Sequence, residues 1–151
     1  MEARKAIPQM TMKVAVALIC IVCMFLPDTP TCRTAPMWTH LTYHFTHANI
    51  FHLLANLYVL WTMRRVRWVP AYLISTLISL IPATEVAGLS GLIFASYGVS
   101  CGIRNRLRTF LTLAVFAIVW GLFPGVSLTI HILSLLIGFA YGYISVWLAF
   151  R

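Results

Sequence analysis

The stretch that decides the fold is Val86-Ala87-Gly88-Leu89-Ser90-Gly91-Leu92-Ile93-Phe94-Ala95-Ser96-Tyr97-Gly98-Val99-Ser100-Cys101-Gly102-Ile103. It carries no charge, and Gly91, Ala95, Gly98 and Gly102 recur at steps of three or four. A helix turn takes about 3.6 residues, so these small side chains form one stripe. Such stripes let helices approach closely where lipid removes the hydrophobic drive between them. The run 126–149 repeats the pattern, with Ser134, Gly138 and Gly142 stepping inward from His131. The sequence therefore predicts two closely packed apolar helices, each with one polar residue near its start, Ser90 and His131.

Composition extends this to the whole chain. Of 151 residues, 61% are hydrophobic and 9% charged, and mean hydropathy is +0.90. A soluble domain is about half apolar and a quarter charged, and a disordered chain is less apolar still. Both classes are excluded. Six apolar runs stand at 11–27, 47–63, 67–82, 86–103, 109–124 and 126–149. At about 20 residues per span, six spans use about 120 residues and leave no room for a sizeable soluble domain. The expectation is an all-α membrane protein, a six-transmembrane-helix bundle formed by residues 1–151 as a single domain.

The net charge of +8 is distributed as short clusters between the runs: Arg4, Lys5 and Lys13; Arg64, Arg65 and Arg67; Arg104, Arg106 and Arg108; and Arg151. With the N-terminus inside, all four fall on the cytoplasmic side and only Arg33 lies outside, as the positive-inside rule requires. Asp28 and Glu85 fall outside. These clusters suit anionic lipid headgroups and are too short and separated to follow a nucleic acid. The first run has a basic flank like a signal peptide, but no small-x-small site follows at Phe25–Thr29, so it reads as a retained helix. Cys20 and Cys23 lack a second ligand pair for zinc, and Cys32 could pair with the end of the first run. Pro27, Pro30 and Pro36 punctuate the longest connection, 28–46. Pro70 falls in the first turns of the third run, and Pro82 and Pro124 mark outer ends.

Strongly polar residues are few inside the runs: His52 and Asn56 in the second, Ser90 in the fourth, His131 in the sixth. Polar groups in a bilayer are costly and mark function by default. Ser90 and His131 each lie about four or five residues below the outer end of their run, on the order of 6–8 Å at 1.5 Å per residue. Both runs point the same way, so the two can meet. A histidine in reach of a serine can take its proton and return it to a leaving amine. His52 and Asn56, four apart, share a helix face and can donate to an oxyanion, as can the Ser90 N–H. No carboxylate lies at this depth, which leaves a Ser–His dyad. His40, His44, His47 and His52 come without an H-E-x-x-H pattern or a nearby acid, so no metal is expected.

The segment Trp38 to Asn56 contains His47, His52 and Asn56 spaced as histidine, four residues, histidine, three residues, asparagine. It resembles the second-span signature of the rhomboid intramembrane serine proteases. Gly88-Leu89-Ser90-Gly91 matches that family's G-x-S-G, and His131 followed by Gly138 is similar to its sixth-span pattern. The resemblance covers residue 38 to the C-terminus. It implies Ser90 as nucleophile, His131 as general base, and His52 and Asn56 with the Ser90 N–H as oxyanion hole. It also implies that His47 steadies the outer loop and that Gly88, Gly91 and Gly98 permit close approach. No cofactor is implied. Substrates would be transmembrane proteins cut near the outer face. The location would be a bacterial-type inner membrane, multi-pass, with both termini cytoplasmic. Three positions depart from the family pattern: Thr39 after Trp38, Phe94 in place of a tyrosine supporting the histidine, and Ser134 in place of a glycine.

Two other functions compete. A catalytically inactive relative would bind transmembrane segments without cutting them. A transporter would need a polar file through the bundle, whereas the inner halves of the fourth and sixth runs are apolar. Substrate access is expected between the second and fifth runs, because Gly121, Pro124 and Gly125 loosen the outer end of the fifth.

Overall fold

The computed structural model describes residues 3–26, 30–122 and 126–150. Asp28, Pro27, Pro124, Gly125 and Arg151, all used in the sequence reading, lie outside the described residues. The described chain is all-helical: α1 (Ala3–Cys23), α2 (Met37–Thr42), α3 (Ile50–Thr62), α4 (Trp68–Ile78), α5 (Ser90–Ile103), α6 (Leu107–Trp120) and α7 (Leu128–Ala149). Six of these match the six apolar runs, and α2 is an added short helix within the long connection.

The helices differ from the runs in length, and this corrects the expected spans. Among the described residues only α7 is long and apolar enough to cross a membrane. Helices α3 to α6 have 11 to 14 residues. Local hydrogen bonds explain the late starts. The Asn49 side chain accepts the His52 N–H and begins α3 at Ile50, and Ser127 accepts the Ile130 N–H and begins α7, as N-caps do. Before α5 the chain is held extended. Val86 and Thr31 exchange two backbone hydrogen bonds of 2.8 and 2.9 Å, and Gly88 adopts φ +101°, outside helical space. Ser90 is thus the first residue of α5, not one buried a turn down. Pro70 sits at the third position of α4, where its missing N–H has no helical partner to lose. The α5–α6 turn closes on Asn105 at φ 49°. There Arg106 N–H donates to Cys101 and Asn105 N–H to Gly102, the hydrogen-bond pattern that satisfies the last carbonyls of a helix.

Helix α5 is central, with ten of its 14 residues buried. Its packing on α7 is the tightest in the molecule. A Cβ on Gly98 would lie 2.3 Å from the Leu135 carbonyl oxygen, and one on Gly102 2.2 Å from that of Phe139. Reciprocally, a Cβ on Gly138 would lie 2.5 Å from the Ala95 oxygen, and one on Gly142 2.3 Å from that of Val99. Only hydrogen fits at these positions. The partners advance together by four residues, so α5 and α7 run parallel, as the two stripes predicted. Gly91 is the exception in its stripe. It faces the side chains of Ile130, Tyr43 and Ser75 rather than the α7 backbone.

Helix α4 runs antiparallel to α5, since Ser75 lies by Gly91 and Arg67 N–H donates to Ser96 Oγ at 2.8 Å. The turns bearing Arg64, Arg65 and Arg67, and Arg104, Arg106 and Arg108, therefore share one end of the bundle. Lys13 stands at this same end, next to the turn bearing Arg64, but not as a surface charge. It is buried, and its Nζ donates to the carbonyls of Trp61 and Met63 at the end of α3. A cation is favourable there because the last carbonyls of a helix lack partners. Gln9 completes the anchor through two hydrogen bonds with the Val66 backbone.

Candidate active site

The opposite end of the bundle is built on hydrogen bonds between the long connection and the end of α4. Thr31 Oγ1 lies 2.8 Å from Thr39 Oγ1 and 3.1 Å from His40 Nδ1, and His40 Nδ1 lies 2.8 Å from Ser79 Oγ. Thr39 Oγ1 also donates to the Pro36 carbonyl. All four of Thr31, Thr39, His40 and Ser79 are buried. The loop is therefore anchored by threonines and a histidine, with Thr39 part of the anchor. His44 bonds Thr76 Oγ1 at 3.1 Å, and burial pushes its pKa down to about 3, so it is neutral. Each of these histidines has its own partner. Among the described residues no three of His, Cys, Asp and Glu gather as a metal site, and all four cysteines are free.

Tyr43 carries this scaffold to the start of α5. It is almost wholly buried. Its hydroxyl donates to the Ser75 carbonyl at 2.9 Å, and its own carbonyl accepts the Gly88 N–H at 2.8 Å. His47 holds the next residue. Its Nδ1 lies 3.3 Å from the Phe45 carbonyl, and its Nε2 accepts the Leu89 N–H at 3.5 Å. A ring that accepts at Nε2 and donates at Nδ1 is the neutral Nδ1–H tautomer. His47 thus ties the outer loop to the residue before Ser90. Sequence reasoning missed Tyr43, because a lone aromatic residue in a loop has no pattern that reveals its partners.

His52 and Asn56 converge on Gly88. A Cβ there would lie 2.8 Å from His52 Cε1, 3.1 Å from His52 Nε2 and 3.3 Å from Asn56 Nδ2. Glycine is needed for both the positive φ and this approach. The imidazole and the amide are thereby set two residues before Ser90. Asn56 Nδ2 is buried and has no hydrogen-bond partner among the described residues.

The α5–α7 register brings the remaining pieces together. Gly98 lies between Leu135 and Phe139. One turn higher, Phe94 falls between His131 and Leu135, and one more turn reaches Ser90. In agreement, the Phe94 and His131 rings stack with centroids 4.7 Å apart. Phe94 thus supports His131 by its ring face. Ser134, one turn below His131, is fully buried, and its Oγ has no partner among the described residues. It does not part the helices, since Gly98 meets Leu135 at backbone distance beside it.

Ser90, His131, His52, Asn56 and Phe94 all line one cavity of about 890 Å³. Its other walls come from α3, through Phe51 and Tyr58, and from α6, through Phe116 and Trp120. Helices α3 and α6 do not pack on each other, and the cavity occupies the space between them. This is the side where access was expected, but Gly121 does not loosen it. A Cβ on Gly121 would meet Leu128 at 2.7 Å, so that helix end is closely packed. Among the described residues no hydrogen bond joins Ser90 to His131, and His131 Nδ1 is buried without a partner.

The arrangement offers a hydroxyl at a helix N-terminus, an imidazole in the same cavity, and donors beside the hydroxyl. The first N–H groups of α5 have no helical partners and carry the positive end of the helix dipole. Comparisons with protein-family models, curated proteins and solved structures give no match. The function is therefore read from the residues and their geometry.

Proposed function

We propose that the chain is an intramembrane serine endopeptidase of the rhomboid kind, a multi-pass bundle that cuts transmembrane proteins near the outer face. The observation that carries this reading is the shared cavity of Ser90, His131, His52 and Asn56, with Phe94 stacked on His131. Ser90 Oγ attacks the scissile carbonyl while His131 takes its proton. The resulting oxyanion accepts hydrogen bonds from Asn56 Nδ2, His52 and the Ser90 N–H. The C–N bond then breaks as His131 protonates the departing amine. Water, deprotonated by His131, attacks the acyl-serine ester and releases the acid and free Ser90.

The membrane setting is supported by the surface. Large apolar side chains are exposed on every helix except the central α5, among them Val22, Phe51, Val69, Leu77, Val115 and Leu148. Exposed large apolar side chains on six of the seven helices suit a lipid surround better than water. Helices of 11 to 14 residues reach about 17–21 Å at 1.5 Å per residue, short of the roughly 30 Å hydrocarbon core. Their non-helical flanks then lie at membrane depth. Irregular backbone is tolerated there when protein satisfies it, as Tyr43 and Thr31 do for Gly88 and Val86. The arginine-bearing end faces the cytoplasm in this orientation.

The purified protein is expected to cut a transmembrane reporter, and Ser90→Ala to abolish cutting while remaining folded. Equal cleavage by Ser90→Ala refutes the proposal. One observation favours a second reading, a protein that binds transmembrane segments without cutting them: no Ser90–His131 hydrogen bond is made among the described residues. A serine-reactive fluorophosphonate separates the two, since only the protease is labelled at Ser90.

A further inference from the structure

A second cavity, of about 250 Å³, adjoins the first and shares His52, Ala48, Val86 and Ala87 with it. Its remaining wall includes Glu85, His47 and Thr46. Glu85 is exposed and makes no ion pair among the described residues. It is one of three acidic residues in the chain, and the basic clusters stand at the other end of the bundle, so its carboxylate dominates the charge beside this cavity. His47 and Thr46 are already bonded to the backbone, at Phe45 and Tyr43. Glu85 is left as the group with unused acceptor capacity.

We infer that this smaller cavity is a subsite for a cationic side chain, Lys or Arg, of the polypeptide bound in the larger one, with Glu85 as its counter-ion. The inference rests on the protease reading for the identity of that polypeptide. A metal ion is the poorer occupant: both His47 ring nitrogens are engaged with the backbone, and Glu85, His47 and His52 do not gather as a ligand set among the described residues. An anionic side chain is repelled by Glu85. A long aliphatic stem, by contrast, suits a pocket walled by Ala48, Val86 and Ala87, with its charged head at the exposed carboxylate. His52 belongs to both cavities, so the two adjoin, and the cationic residue lies near the scissile bond along the bound chain.

The test uses transmembrane reporters with Lys, Gln or Glu at positions flanking the cleavage site. Cleavage is measured for wild type, Glu85→Gln and Glu85→Lys. The Kd values of the same peptides are measured on the Ser90→Ala protein, with and without Glu85→Gln. The ratio of the Lys to the Glu reporter is read within each protein, so any overall loss of activity drops out. An exposed ion pair of about 1 kcal/mol corresponds to roughly a fivefold preference for Lys over Gln. The Lys-to-Glu ratio is expected to exceed that in wild type, to level in Glu85→Gln, and to invert in Glu85→Lys. It should also shrink as salt is raised. An identical ratio in wild type and in Glu85→Gln overturns the inference, as does a wild type with no charge preference. If no reporter is cut by wild type, the protease reading fails, and the Kd ratios still decide whether the subsite exists.

Discussion

Gly98→Ala tests the contact on which the site depends. The new Cβ would lie 2.3 Å from the Leu135 oxygen and 2.9 Å from the Phe139 nitrogen, where ordinary contact begins at 3.4 Å. The shortfall is about 1 Å, and the obstructing atoms are helix backbone, which cannot rotate aside. Helices α5 and α7 must part. Overpacking of this kind costs about 1–3 kcal/mol. Because the obstruction is backbone at 2.3 Å, the cost lies in the upper part of that range, about 2–3 kcal/mol. Alanine recovers about 1 kcal/mol through its better helix propensity, so a net loss of about 1–2 kcal/mol is expected. For a chain of this size that lowers Tm by roughly 2–8 °C. In a background with the half-buried Cys23 and Cys32 replaced by alanine, buried Cys20 and Cys101 provide the readout, since a thiol-reactive dye then labels the protein only as it unfolds. The parting also moves His131 relative to Ser90, two turns above Gly98. A misplacement of about 1 Å costs up to 10²-fold in rate, so cleavage should fall by about 10- to 100-fold. An unchanged or raised Tm would refute the claim that glycine is required by the backbone contact. A lowered Tm with full cleavage would refute the dependence of the site on this packing.

Two further outcomes follow from the polar groups. Ser134→Ala removes a buried hydroxyl that has no partner among the described residues. It should stabilise the protein by about 1 kcal/mol, seen as a higher Tm in the same thiol assay, and a lower Tm would show that the hydroxyl has an essential partner. His44 is held neutral by burial, with its pKa lowered from 6.5 to about 3. Between these values the unfolded chain binds the proton and the folded chain does not. Its contribution is therefore intact above pH 6.5 and lost as pH falls toward 3, by up to about 1.4 kcal/mol per pH unit. Tm measured from pH 7.5 to 4.5 should fall more steeply for wild type than for His44→Gln, and parallel curves would exclude this role.

The parallel pairing of α5 with α7 was legible because glycine spacing reports a helix face directly. Gly98 and Gly102 mark the stripe on one run and Gly138 and Gly142 the stripe on the other, and the structure sets their register. The stacking of Phe94 on His131 follows from the same register. Less of the loop region was legible. Ser90 was expected one turn inside its helix because hydropathy continues through Val86, and hydropathy does not register where a helix begins. Lys13 was assigned to a basic cluster because its charge is visible in the sequence and its partners, the Trp61 and Met63 carbonyls, are not.

The sequence by itself determined that the chain forms apolar helices, which faces of two of them meet, and which few polar side chains stand among them. These properties are local, set by composition and by a period of 3.6 residues. The tertiary structure decided where α5 starts, how His52 and Asn56 meet Gly88, and that α3 and α6 leave a cavity between them. It also decided that Tyr43 and Thr31, more than 40 residues away in sequence, hold the chain ahead of Ser90. Those outcomes depend on hydrogen bonds and packing between distant segments, and no local period encodes them.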